Sequence, residues 1–167
     1  EGVNLPDAFA IVNPNKKADK SNLNNLCAAG VVFFLIISIN RNLKKNNFFA
    51  NSEPPNLLKF LDLVALGTIC DLVKLDLVNR ALVKQGMKVM NKLLNTGIKS
   101  LVECSSIKDE ISEYHLGFVL GPRINAAGRV GDSKLGATLL INDKNNLNLS
   151  IAEKLNYYNQ LRKKVEK

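Results

Sequence analysis

Asp71 and a pair of arginines carry the residue types that could do chemistry in this chain. Asp71 closes the run Leu63-Val64-Ala65-Leu66-Gly67-Thr68-Ile69-Cys70 and is followed at once by Leu72-Val73. A carboxylate flanked by apolar residues is costly to bury without a partner, so it calls for a cation, a set of donors or a metal. Capping the next turn, or simply facing water, answers the same pattern, and spacing alone does not choose among these. The arginines, Arg123 and Arg129, lie in the segment Leu120-Gly121-Pro122-Arg123-Ile124-Asn125-Ala126-Ala127-Gly128-Arg129. Glycines and alanines allow close approach to a backbone. The two guanidiniums offer forked donors to phosphate oxygens, with the Asn125 amide beside them. A tight turn whose arginines pair with acids such as Asp132 is the plainer alternative.

The elements that must position these groups read mostly as helices. Ala10–Val12 is expected to form a short buried strand, halted by Asn13-Pro14. Residues 23–39 are apolar almost all round and predict a buried helix, with Gly30 marking a close contact. Residues 41–56, with Pro54-Pro55, read as a polar linker, and 57–69 as a second helix. Asp76 is placed to cap a helix over 79–94, whose apolar residues Leu82, Val83, Met87, Met90, Leu93 and Leu94 follow helical spacing. Thr96-Gly97 is expected to end it. A short helix follows over 98–104, then a charged loop over 108–113. Next come the glycine-punctuated loop over 116–129 and a helix over 133–141. A long, exposed, charged helix is expected from Ser150 to the end.

The chain has 167 residues, a net charge of +8 and 46% hydrophobic residues, enough for a core. Its longest apolar run, Val31 to Ile37, is too short to span a membrane, and no signal peptide is visible at the start. The absence of an initiator Met leads us to expect a fragment or a trimmed product. Eighteen of the 23 basic residues are Lys, and the chain holds 22 Asn. That pairing reads as compositional drift, so scattered lysines argue little for a polyanionic partner and the clustered arginines argue more. Cys27, Cys70 and Cys104 are odd in number and form no C-x-x-C pair, which suits buried thiols in a reducing cytoplasm rather than zinc or disulfides. His115, the single histidine, reads as a surface or packing residue. No aromatic stacking platform for bases is evident, so weak binding of single strands is expected of the chain alone.

The run Val64-Ala65-Leu66-Gly67-Thr68-Ile69-Cys70-Asp71 resembles the fourth motif of the DHH phosphoesterases in its RecJ-type form, that of single-strand-specific 5′→3′ exonucleases. Gly121-Pro122-Arg123-Ile124-Asn125-Ala126-Ala127-Gly128-Arg129 is similar to the loop characteristic of the same group. Leu5-Pro6 with Ala10-Ile11-Val12-Asn13-Pro14, Asn79-Arg80-Ala81-Leu82-Val83 and the helix from Asn159 to Glu166 also fall where that family has counterparts. The resemblance implies that Asp71 ligates a catalytic Mn²⁺ or Mg²⁺ and that Arg123 grips a substrate phosphate, with Asn125 and Arg129 as further phosphate contacts. It implies an α/β fold, of which this chain is the mostly helical C-terminal portion of a DHH phosphoesterase domain, the parallel sheet lying largely outside it. Residues 1–149 would belong to that domain, and 150–167 would begin the connector helix to a DHH-associated domain.

The implied activity is metal-dependent hydrolysis of single-stranded DNA in repair and recombination, in the cytoplasm and without a membrane. The missing N-terminal part of the DHH domain would be a required partner, since the Asp-His-His motif and the other metal motifs are not in this sequence. Two departures stand out: Lys74 occupies a position where RecJ-type sequences carry proline, and the downstream nucleic-acid-binding domains are absent. A non-catalytic remnant or binding module from a split gene, and a DHH phosphodiesterase of oligonucleotides or cyclic dinucleotides, are the alternatives.

Overall fold

The computed structural model describes residues 6–165. Leu5 of the first family-like segment and Glu166 at the end of the last helix lie outside the described residues. The chain divides into two compact units, Glu1–Gly86 and Met87–Lys167.

The first unit holds α1 (Ala28–Lys45), a 3₁₀ turn (Leu57–Phe60), α2 (Leu61–Cys70) and most of α3 (Leu77–Met90). α2 is apolar on every side, and Leu61, Asp62, Val64, Ala65, Leu66 and Thr68 are all buried. Its neighbours approach to backbone contact. A Cβ placed on Gly67 would lie 3.1 Å from Cβ of Ala29 in α1. One placed on Gly86 of α3 would lie 2.2 Å from the Leu61 carbonyl. Cys27 starts α1, its sulfur accepting from the Gly30 N–H at 3.4 Å. The same sulfur lies 3.4 Å from the Thr68 hydroxyl of α2. Asp76 caps α3 as its sequence position suggests: its carboxylate accepts from the Asn79 N–H at 3.0 Å and from the Asn25 amide at 3.1 Å. The Asn79 amide in turn donates to the carbonyls of Asn25 and Lys74, both at 2.8 Å.

The second unit holds α4 (Thr96–Cys104), a π-helical turn (His115–Leu120), α5 (Gly121–Val130), α6 (Lys134–Ile141) and α7 (Asn145–Val165). α7 packs on α4, α5 and α6. The face it uses carries Asn148, Ile151, Ala152, Leu155 and Asn159, all buried. An amide cluster ties the ends of these helices together. Asn95 caps α4 at the Ile98 N–H and donates to the Leu140 carbonyl, each at 3.0 Å. Asn148 donates to the Thr96 hydroxyl at 2.8 Å and to the Asn142 carbonyl at 2.7 Å.

Five expectations need correction. No strand exists among the described residues; Ala10 and Val12 are exposed and Ile11 half-buried in irregular backbone, because a strand needs a ladder partner and none is present there. α1 begins at Ala28 rather than Leu23, after a turn through Asn24-Asn25, and runs on to Lys45. Its cationic last turn, Lys44-Lys45, favours the helix C-terminus. Far from being buried all round, α1 has only Gly30 and Phe33 buried. Thr96-Gly97 opens α4 instead of ending α3, which already stops at Met90. Last, α7 is not exposed throughout, since its inner face, with Asn148, Ile151, Ala152, Leu155 and Asn159 buried, is the spine of the second unit.

That last point can be measured. Leu155→Ala should cost about 2–5 kcal/mol in urea unfolding, whereas Tyr157→Ala, on the exposed side of α7, should stay within about 0.5 kcal/mol. Equal, small effects would mean that the inner face of α7 does not hold the second unit together.

Candidate nucleic-acid and metal site

Asp71 is the residue that ends α2. Its N–H closes the helix on the Gly67 carbonyl at 2.9 Å. The next residue, Leu72, turns left-handed at φ 53° and is 88% exposed. Asp71 is itself exposed, so the carboxylate faces solvent at the tip of a buried helix. A rigid core thus presents a hard oxygen ligand to the outside. Beside it the Cys70 thiol is pushed up to about 11, first by burial and then by the charge of Asp71. Cys70 and Cys104 are half-buried and Cys27 fully so.

A second acid in α2 escaped the sequence reading. Asp62 is 3% exposed and accepts from the Leu63 N–H at 2.7 Å. Burial raises its carboxyl above the ordinary carboxylate range, partly offset by backbone N–H donors. Nine residues separate it from Asp71, two and a half turns, so the two acids sit on opposite sides of α2. In sequence Asp62 passes for an ordinary first-turn acid. Its apolar neighbours on both sides were the available signal.

The glycine–arginine segment is a helix, not the expected loop. Gly121 has φ −57° and ψ −48°, and no glycine among the described residues has positive φ. Pro122 sits in the first turn of α5, where its missing N–H costs nothing. The helix divides the predicted site residues between two faces. Arg123 shares the inner side with buried Ala126 and Ala127. Its Nε donates to the Asn156 side chain of α7 at 3.0 Å, and its terminal nitrogen to the Val119 carbonyl at 2.7 Å. Burial pulls the guanidinium below its ordinary value, with the Cys104 thiol acting the other way. Asn125 and Arg129 are exposed and lie four residues apart on the outer side. The structure therefore groups Asn125 with Arg129 and sets Arg123 apart from both.

His115, expected at the surface or in packing, is half-buried, and its Nδ1 accepts the Ser112 N–H at 3.0 Å, closing the start of the helix. An exposed aromatic pair was not anticipated. Tyr114 and Phe118 stack at 5.2 Å and 24°, 63% and 72% exposed. Their i, i+4 spacing was the signal that could have found them.

Asp71 belongs to the first unit and the Arg123 helix to the second. Among the described residues no three His, Cys, Asp or Glu side chains converge as a metal centre would need. Asp71 fits as a single exposed carboxylate ligand for a divalent ion; it is not a whole site.

No protein-family model matches the chain. The single-stranded-DNA-specific exonuclease RecJ of Salmonella typhimurium is 41% identical over 99% of the chain, and that of Bacillus subtilis 31% identical over 98%. A crystal structure of RecJ in complex with Mg²⁺ from Thermus thermophilus superposes with a TM-score of 0.72, at 29% identity over 92% of the chain. The chain is a RecJ homologue. The match covers 29% of the length of Salmonella RecJ and 22% of the Thermus chain. A Thermus RecJ structure in complex with Mn²⁺ gives a TM-score of 0.70. The mostly helical character found above is thus that of the corresponding stretch of RecJ. No helix among the described residues is long and apolar enough to cross a membrane.

The buried Asp62 generates a pH prediction. Its folded-state carboxyl holds a proton more firmly than the unfolded one, so stability present below pH 3.8 is lost as pH rises through the folded value. Asp62→Asn keeps an acceptor for the Leu63 N–H and should abolish that fall, raising the urea midpoint at pH 7. An unchanged midpoint at pH 7 would place the Asp62 charge in contact with water.

Proposed function

We propose that this chain is part of a metal-dependent, single-stranded-DNA-specific 5′→3′ exonuclease that hydrolyses phosphodiester bonds in DNA repair and recombination. The observation that carries the reading is the 41% identity with RecJ over 99% of the chain, within which the two motif-like segments fall. In this reading residues 1–149 are the helical portion of a DHH phosphoesterase domain whose parallel sheet lies in other sequence. Residues 150–167 open the connector helix, its first half fastened to α4, α5 and α6. The enzyme works in the cytoplasm, and the remaining ligands come from the N-terminal part of that domain.

The residues have distinct tasks. Asp71 supplies one hard oxygen ligand to Mn²⁺ or Mg²⁺. Bound there, the ion would polarise a phosphoryl oxygen and lower the pKa of a water. Exposure at the end of a buried helix suits this role, since the ligand is held by its backbone and reaches outward. Arg123 faces a substrate phosphate with the N–H groups that Asn156 and Val119 leave over. Those two partners fix the guanidinium plane, so little side-chain freedom is lost when phosphate arrives. Asn125 and Arg129 sit on the other side of α5 and would touch the strand at a different phosphate. A single exposed carboxylate cannot hold the metals alone, so hydrolysis by this chain without the rest of the domain is not expected.

The test joins this chain to the part of Salmonella RecJ upstream of the matching stretch and supplies Mn²⁺. Single strands should be degraded from the 5′ end. Asp71→Ala should abolish this, and Arg123→Ala should lower kcat/KM by about 100-fold or more. Full activity of Asp71→Ala would remove it from the ligand set.

A further inference from the structure

The helical run from Glu113 to Val130 passes without a break through the π-helical turn into α5. It carries two rings out of the core. Tyr114 and Phe118 stack on each other at 5.2 Å and 24°, and Tyr114 also meets the His115 ring edge-on at 5.8 Å and 71°. Phe118, the member nearer α5, is the more exposed of the pair. Over residues 95–129 no other large hydrophobic side chain is exposed. The same stretch is cationic. Between Glu113 and Asp132 the chain has no acid, while Arg123 and Arg129 lie there.

We propose that Tyr114 and Phe118 form a base-stacking platform for single-stranded DNA, on which a nucleobase lies against Phe118 while Asn125 and Arg129 meet the sugar–phosphate backbone beyond it. The inference rests on the proposed function and deepens it, by naming what holds the bases rather than the phosphates. Three observations choose the occupant. The rings are near-parallel, so a flat base prolongs the column that they begin, and stacking of this kind accepts any base. Their contacts with each other and with His115 settle their orientation beforehand, which lowers the entropy lost on binding. Exposed Asn125 follows Phe118 by seven residues, about 10 Å along a helix, within reach of a strand whose base rests on that ring. A polypeptide partner is a poorer fit, because no exposed aliphatic side chain accompanies the rings and the charge beside them is positive. That charge complements a polyanion.

The test uses the chain joined to the part of Salmonella RecJ upstream of the matching stretch, without metal, so that strands bind uncut. Fluorescence anisotropy compares an oligothymidylate with an abasic strand of the same length. Phe118→Ala should weaken binding of the oligothymidylate by about tenfold and leave the abasic strand unaffected. Phe118→Trp should bind at least as tightly as the parent, and Tyr157→Ala, at an exposed ring of α7, should bind like it. Arg129→Ala should weaken both strands alike. In the parent protein, 2-aminopurine within the strand should lose fluorescence on binding, as a stacked base does. An unquenched base overturns the platform even where Phe118→Ala fails to fold. Equal loss on the two strands also overturns it and assigns the rings to protein packing; so does binding indifferent to Phe118→Ala, or no binding at all. The two readings fail separately. Base-dependent loss without degradation once Mn²⁺ is added leaves the platform standing and removes the nuclease. Degradation with Mn²⁺, and binding that ignores Phe118, leaves the nuclease standing and removes the platform.

Discussion

The first unit depends on how closely helices can come to α2. A ten-residue helix that is apolar but for Asp62 and Thr68, both buried, has no polar face to turn to water, so it must be enclosed, and side chains of ordinary size would hold its neighbours about 8–10 Å away. Glycine removes that spacing where it matters. Gly67 lets α2 rest on Ala29 of α1, and Gly86 lets α3 sit on the Leu61 carbonyl. With the axis of α2 fixed from two sides, its last residue is fixed too. Asp71 then stands at the rim of a close-packed body, its backbone position fixed by the helix it ends. Under the proposed function, Asp71 as a metal ligand would need that property more than any particular partner.

Much of this was legible in local sequence, and the exceptions share a cause. Asp76 before α3, the spacing through Val83, Met87 and Met90, and the apolar run of α2 are local signals that local structure obeys. Ala10–Val12 failed because a strand is a statement about a partner strand, and none is described. The segment from Gly121 to Arg129 failed because its glycines were taken as turn formers. Glycine permits left-handed backbone without requiring it, and Pro122 in the first turn was the better guide to a helix. α7 was misread because two of its five buried face residues are Asn148 and Asn159. Polar in sequence, they are buried with hydrogen bonds, Asn148 to Thr96 and Asn142 and Asn159 to Arg162 of the same helix, so a polarity pattern understates how much of the helix is inside.

The same point revises the meaning of the composition. An excess of asparagine reads as drift, yet Asn79, Asn95, Asn148 and Asn156 each hold a specific junction: the start of α3, the start of α4, the α6–α7 corner and the Arg123 side chain. Asparagine can donate and accept at once, which suits places where one side chain must satisfy both a helix start and a neighbouring carbonyl. Drift explains how many there are; geometry explains which ones the fold uses. The net charge of +8 has no comparable structural role, because the arginine central to the functional reading is half-buried and the described lysines are mostly exposed.

For Arg123, partial burial is the more informative fact. A freely solvated arginine would meet phosphate with high mobility and full hydration, and the contact would be weak and salt-screened. Held by Asn156 and the Val119 carbonyl, with burial lowering its hold on its proton, the guanidinium has already lost part of its water. In the proposed role, an approaching phosphate would meet a fixed, partly desolvated cation, for which each remaining N–H counts for more. The carbonyl comes from the π-helical turn just before α5, four residues earlier in the chain. The turn and the arginine it orients are thus one device, and the helix found in place of the expected loop would give the proposed phosphate contact a rigidity that a loop would lack.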